Sequence, residues 1–195
     1  MISTNHRRRA AGFSLVELMV VTAISAVLVT IATVGFVTMR RQSYVNGETR
    51  SLLSRLQDAR MKAVALGQKH GVYIGGPGDP QYPSRVVVFA KTNLDAPSNL
   101  IEVTDGGTDR ILVNQVLGDL SSRSTVWVSN VPDGGSVTVT FNSTGAPTVS
   151  TTSGGTTTPY DWSGGPYYFQ IQSQDDQSPP RQLMLRADGT LRVTQ

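Results

Sequence analysis

Residues Phe13 to Met39 form an apolar run whose only charged side chain is Glu17. As a helix the run extends about 40 Å, enough to cross a hydrocarbon core of roughly 30 Å with tilt. An ionised carboxylate inside a spanning helix costs several kcal/mol and signals a partner charge or a functional site. Before the run stand His6, Arg7, Arg8 and Arg9, then Ala10, Ala11 and Gly12. An ordinary secretory signal places its small-residue cleavage site after the apolar core, whereas here the small residues precede it. A cut between Gly12 and Phe13 creates a new α-amino group on Phe13, four residues from Glu17 and on the same helical face. That amine pairs with Glu17 in its own chain, or with Glu17 of a neighbour, which sets the axial register of packed helices.

The stretch Gly12-Phe13-Ser14-Leu15-Val16-Glu17-Leu18-Met19 resembles the class III signal of type IV prepilins and type II secretion pseudopilins. The resemblance implies that a prepilin peptidase cuts after Gly12 and methylates Phe13, and that Glu17 serves assembly. It also implies the partners: other pilin or pseudopilin subunits, the peptidase, an inner-membrane assembly platform and the lipid bilayer. A plain signal-anchored surface protein is the competing reading; the order glycine, aromatic, apolar run and acid favours the prepilin. Arginines flank the run on both sides, so the positive-inside count does not orient it. The resemblance places the leader in the cytoplasm of a bacterium, with one pass through the inner membrane before cleavage and a periplasmic or extracellular filament afterwards.

The formal charge of +3 resides wholly in the leader, since the chain after Gly12 carries 14 basic and 14 acidic residues. That neutrality hides a segregation. Residues 40–69 hold seven basic and two acidic side chains, and residues 70–195 hold seven basic and eleven acidic ones. There is no cysteine, which removes disulfides, thiolate metal sites and a cysteine nucleophile. The expected organisation is a cleaved leader at 1–12, a membrane and filament-core helix at 13–39, its amphipathic continuation at 40–70 and a β-rich head at 71–195.

Beyond the membrane segment Val45, Leu52, Leu56, Ala59, Ala63 and Leu66 recur at spacings that predict one apolar helical stripe facing the head. Gly47 is a candidate bend and Gly67 or Gly71 a candidate helix end, with Lys69 and His70 placed near the last carbonyls. The arginines on this helix are read as a solvated face or as contacts to acidic heads of adjacent subunits. From Gly71 the pattern turns to short β-prone runs: 72–74, 85–90, 111–117, 125–129, 136–141, 167–172, 182–186 and 191–194. Residues 137–141 alternate strictly, predicting a half-buried strand. Asp188-Gly189 signals a hairpin turn. Residues 75–83 and 144–165 are poor in core-forming side chains and are expected to be long mobile loops.

A β-rich head with Phe141-Asn142-Ser143-Thr144-Gly145 and the closing run from Leu185 to Val193 resembles H-type minor pseudopilins and FimT/FimU-type minor pilins. The resemblance implies a long helix packed on two antiparallel sheets and a place in the initiating or tip complex. Some FimT-like pilins bind DNA, so Arg181, Arg186 and Arg192 are candidate phosphate contacts. The dense arginine motif of those members is absent, the head is net negative, and Tyr167, Tyr168 and Phe169 are expected to split between core and surface. An enzymatic reading finds little to build on, because His70 is the one histidine left after cleavage and no phosphate-binding glycine motif opens a helix. Asp105-Gly106-Gly107-Thr108-Asp109 lacks EF-hand spacing and reads as a polar turn. The sequence therefore predicts an α+β, pilin-like chain that is a structural subunit without catalytic residues, cofactor or metal. Its machine is left open between a type IV pilus, a secretion pseudopilus and a competence system.

Overall fold

The computed structural model describes residues 14–76, 78–80, 82, 84–91, 109–116, 126–128, 130–131, 134–173 and 179–194. The leader, Gly12 and Phe13 lie outside these residues, as do four of the five residues of the 105–109 turn. A helix, α1, runs over Leu15–Leu66, and the chain divides after Arg40 into two compact units.

The first unit holds the membrane-competent part of α1. Over Leu15–Ala32 the mean hydropathy is 2.4 and no residue is buried, so this helix is long and apolar enough to cross a membrane. Its threonines are compatible with lipid: the Thr22 hydroxyl donates to the Met19 carbonyl at 2.9 Å and that of Thr30 to the Ala26 carbonyl at 2.8 Å.

In the second unit α1 presents the expected stripe as far as Ala63, but Leu66, the last residue of the helix, is 61% exposed and does not join it. Val45, Leu52, Leu56, Ala59 and Ala63 are all buried, and Thr49 completes the row with its hydroxyl turned back to the Val45 carbonyl at 2.7 Å. α1 continues through Gly47 and stops at Leu66, where Gly67 takes φ +65°, the left-handed conformation that ends helices. Lys69 and His70 lie beyond the last turn of the helix, with His70 Nδ1 3.1 Å from the Gln68 carbonyl. The chain turns at once into a strand, and the backbone carbonyl of Lys69 accepts from the Lys91 amide while His70 is buried as a strand residue.

Among the described residues ten strands follow: β1 His70–Gly75, β2 Arg85–Lys91, β3 Asp109–Val116, β4 Val126–Val128, β5 Ser136–Phe141, β6 Pro147–Ser153, β7 Thr156–Pro159, β8 Tyr167–Ser173, β9 Arg181–Leu185 and β10 Leu191–Thr194. They form a six-stranded sheet, β3-β2-β1-β5-β6-β7, and a four-stranded sheet, β10-β9-β8-β4. Every pairing is antiparallel. Register puts Val72 beside Val88 and Val139, and Phe169 beside Leu183, so each sheet shows one aliphatic face to the α1 stripe. The larger sheet has a second apolar cluster on its other face, Tyr73, Val87 and Phe89 with Tyr82 and Ile111 packed against it.

That second cluster explains two departures from the sequence reading. Residues 136–141 alternate as expected, with Val137, Val139 and Phe141 in the core, but Thr138 and Thr140 on the other face are buried as well. The segment after β1, expected to be a mobile loop, is held by buried Asp79. One carboxylate oxygen accepts from the Tyr73 hydroxyl and the other from the Tyr82 amide, both at 2.6 Å. Burial first, then the Asp79 carboxylate, push the Tyr73 hydroxyl far above its ordinary pKa.

The stretch 144–165 also differs from expectation, since it carries the β6–β7 hairpin and a short 3-10 turn over Trp162–Gly164. Its threonines are β-branched and suit an edge hairpin, while Gly154 and Gly155, at φ +56° and +78°, make the tight turn. Val149 anchors this hairpin in the core, and Thr152 and Thr157 join hydroxyls across it at 3.0 Å. Beyond it an aromatic row leads inward: Tyr160 meets Trp162 and Tyr167 edge to face, and Tyr167 meets Phe169 at 4.8 Å between centroids.

Leu56→Ala is expected to destabilise the head by roughly 2–5 kcal/mol, read as a lower denaturant midpoint. Burial raises the Tyr167 hydroxyl to about 12. A group whose folded pKa is raised holds its stabilisation below the unfolded value and loses it as pH climbs through the folded one. Stability is therefore expected to fall between about pH 10 and 12, and Tyr167→Phe to blunt that fall in denaturation curves at stepped pH.

Candidate assembly site

The amino-terminal signal begins the helix. Ser14 precedes α1 and its carbonyl accepts from the Leu18 amide at 3.1 Å, which puts Glu17 in the first turn. A carboxylate there faces the positive end of the helix dipole. Around it Leu15, Val16, Leu18 and Met19 are all more than half exposed. Glu17 is thus a single acid on a bare apolar surface. Cleavage after Gly12 and the pairing of Glu17 with a Phe13 amine concern atoms outside the described residues.

In the head, the two motifs that carry the second sequence resemblance come together. The turn after β5 is organised by Asn142, whose side-chain oxygen accepts from the Thr144 amide, the Thr144 hydroxyl and the Ala146 amide at 3.0, 2.7 and 3.0 Å. The turn between β9 and β10 is organised by Asp188, which accepts from the Thr190 amide at 2.8 Å. Hydrogen bonds from the Thr190 amide and hydroxyl hold the Asp188 carboxyl below the usual range, with Arg186 and Arg60 adding to the effect. Arg60 of α1 reaches both turns. Its Nε donates to the Gly145 carbonyl at 3.2 Å and its Nη2 to the Asp188 carbonyl at 3.0 Å. One guanidinium therefore ties a turn of each sheet to the helix.

The glycines in these turns are required by that approach. Gly189 stands at φ +78°, and a Cβ on it would lie 2.5 Å from the Gly145 carbonyl oxygen and 2.8 Å from Arg60 Nε. Both motifs stand out in the sequence, where Arg60 does not differ from the other arginines expected on a solvated or neighbour-facing helix surface. Its partners are main-chain carbonyls, which carry no residue-type signal.

The three candidate phosphate contacts do not converge. Arg181 opens β9 and shares the face of Leu183 and Leu185, which lie in the core. Arg192 pairs across the ladder with Met184, on the opposite face. Arg186 follows β9, and its amide donates to the Thr190 carbonyl at 3.0 Å inside the turn. Tyr167 and Phe169 are buried and Tyr168 is exposed, the expected split. Among the described residues no group of acids and histidines is arranged to hold a metal ion.

Two family models match the chain: the prokaryotic N-terminal methylation motif at residues 7–33, and the type II transport protein GspH at residues 48–189, well over half of the length. The minor pseudopilin EpsH from the type 2 secretion system of Vibrio cholerae is similar at a TM-score of 0.42 and 13% identity, the match covering 77% of this chain and 95% of that one. A comparison with curated proteins gives no match.

Gly189→Ala is expected to cost more than about 2 kcal/mol in a denaturant melt, combining backbone strain with the clash. Gly154 also has positive φ but open space around it, so Gly154→Ala is expected to cost only about 1 kcal/mol. Equal costs would contradict the close approach of Gly189 to the Gly145 carbonyl and Arg60.

Proposed function

Because this chain belongs to the family of the type II transport protein GspH, we propose that it is a minor pseudopilin, a structural filament subunit with no catalytic role. The observation that carries the reading is the wholly exposed apolar helix over Leu15–Ala32 in a chain whose second unit builds an ordinary packed core. Such a surface needs lipid or other apolar helices around it. The chain waits in the bacterial inner membrane, crossing once with its leader in the cytoplasm. Prepilin peptidase removes residues 1–12 and methylates Phe13, and the assembly platform then transfers the helix from lipid into a bundle with other subunits.

Glu17 has a distinct part in this transfer. Buried in lipid it is costly, and a neighbour's Phe13 amine relieves that cost only at one axial offset. The bundle therefore favours the register that satisfies the pair. The head, fixed to α1 by the core and by Arg60, sets which subunit follows which, and a position in the initiating complex fits a minor subunit. The DNA-binding alternative is not favoured, because Arg181 and Arg192 occupy opposite faces of the smaller sheet.

Amino-terminal mass analysis of the chain from sheared filaments is expected to find methylated Phe13 as the first residue. An intact leader, or a cut elsewhere, would contradict the proposal. Glu17→Ala is expected to leave cleavage intact while lowering filament incorporation several-fold on immunoblots, and undiminished entry would remove the register role.

A further inference from the structure

We infer that Arg50 and Arg181 form a recognition cleft for a single carboxylate, supplied by an aspartate or glutamate of the neighbouring subunit; this rests on the filament role proposed above. The two residues are far apart in sequence and on different elements. Arg181 begins β9 on the face that packs toward α1, and Val193, opposite Leu183 in the ladder, shares that face. At this end of the sheet the core runs out, for Leu183 is buried while Val193 is 44% exposed. Between the sheet and α1 is left a cleft of about 260 Å³, lined by Asn46, Thr49, Arg50, Arg181 and Val193.

The lining points to an anion. Among the described residues it contains two guanidiniums and no acid. Neither guanidinium has a hydrogen-bond or ion-pair partner among the described residues, in contrast to Arg60, which is spent on two carbonyls, and Arg85, which donates to Asn114 at 3.1 Å. The Thr49 hydroxyl is committed to the Val45 carbonyl, so the free donors are the guanidiniums and the Asn46 amide. Two cations lining one cleft repel each other until an anion enters, and guanidinium forks suit the two oxygens of a carboxylate.

Size and charge select the source. A cleft of this volume accommodates an acidic side chain, whose methylenes can lie on Val193, whereas a nucleic-acid strand needs a track of cations. Arg192 cannot extend such a track, because it lies on the other face of the sheet. The chain's own charge supplies the complement: residues 40–69 are strongly basic and residues 70–195 carry eleven acids against seven bases. Subunits of this kind, stacked in a filament, bring the acidic head of one toward the basic helix of the next.

The test places a photo-cross-linking residue in the cleft as Asn46→p-benzoylphenylalanine in the full chain, expressed with its filament system. Mass spectrometry of sheared filaments then identifies the captured peptide. Capture of a neighbouring subunit's segment containing Asp or Glu is expected, with yield falling about tenfold in the Arg50→Gln/Arg181→Gln variant. The variant is expected to melt like its parent, since neither side chain has a partner among the described residues. Charge reversal at Arg50 paired with Asp or Glu→Arg at the captured acid is expected to restore the yield. Capture of an acid-free segment, of DNA or of lipid, or an unchanged yield in the double variant, would overturn the cleft while leaving the filament role in place. Absence of the parent chain from sheared filaments would overturn the filament role and the cleft's occupant together.

Discussion

Burial of the α1 stripe from Val45 to Ala63 is the interaction on which the head depends. Both sheets aim their aliphatic faces at it, so five helix side chains with Thr49 supply the common floor for Val72, Val139, Phe141, Phe169, Leu183 and Leu185. With no cysteine to staple the sheets, this shared contact is what joins them, and Arg60 locks the arrangement at one end by binding a turn from each. The same helix is wholly exposed and apolar over Leu15–Ala32. One secondary-structure element thus serves as core in one unit and as an uncovered surface in the other.

That division gives the functional reading its physical basis. A surface of Leu, Val and Ile side chains is at home in lipid and equally at home among like helices, so moving between the two exchanges one apolar environment for another. The acid at Glu17 breaks that near-equivalence. In the proposed assembly it penalises lipid and misaligned bundles alike and favours the one alignment that offers it a cation. In the second unit Arg50 of α1 and Arg181 of β9 extend the same logic, as cations without a partner among the described residues on a chain whose head is acidic.

Much of this was legible in the sequence because it rests on periodicity and on costly residues. The apolar run with its single acid, the stripe at 45, 52, 56, 59 and 63, and strands such as 136–141 and 191–194 are written in side-chain spacing. The hairpin over 147–159 was not legible, since threonine-rich strands at a sheet edge bury almost nothing and resemble a linker in composition. The anchoring of the segment after β1 was equally hidden. Asp79 looks like any turn aspartate until Tyr73 and Tyr82 are seen to enclose it. Arg60 was missed because main-chain carbonyls are anonymous, although the glycines that admit it were conspicuous. The grouping of Arg181 with Arg192 failed on strand parity, which only register reveals.

The native chain lacks cysteine, so disulfide trapping reads helix contacts without background. Single cysteines at exposed positions such as Ile24, Val27 and Leu28, combined with cysteines in the corresponding helix of candidate neighbours, measure directly whether this surface is covered by other subunits. Disulfide-linked species in the sheared filament fraction, formed at one offset and shifted or dispersed by Glu17→Ala, are the expected result. A chain that stays in the membrane fraction, with cysteines that react with lipid-soluble reagents and never with another subunit, would contradict it.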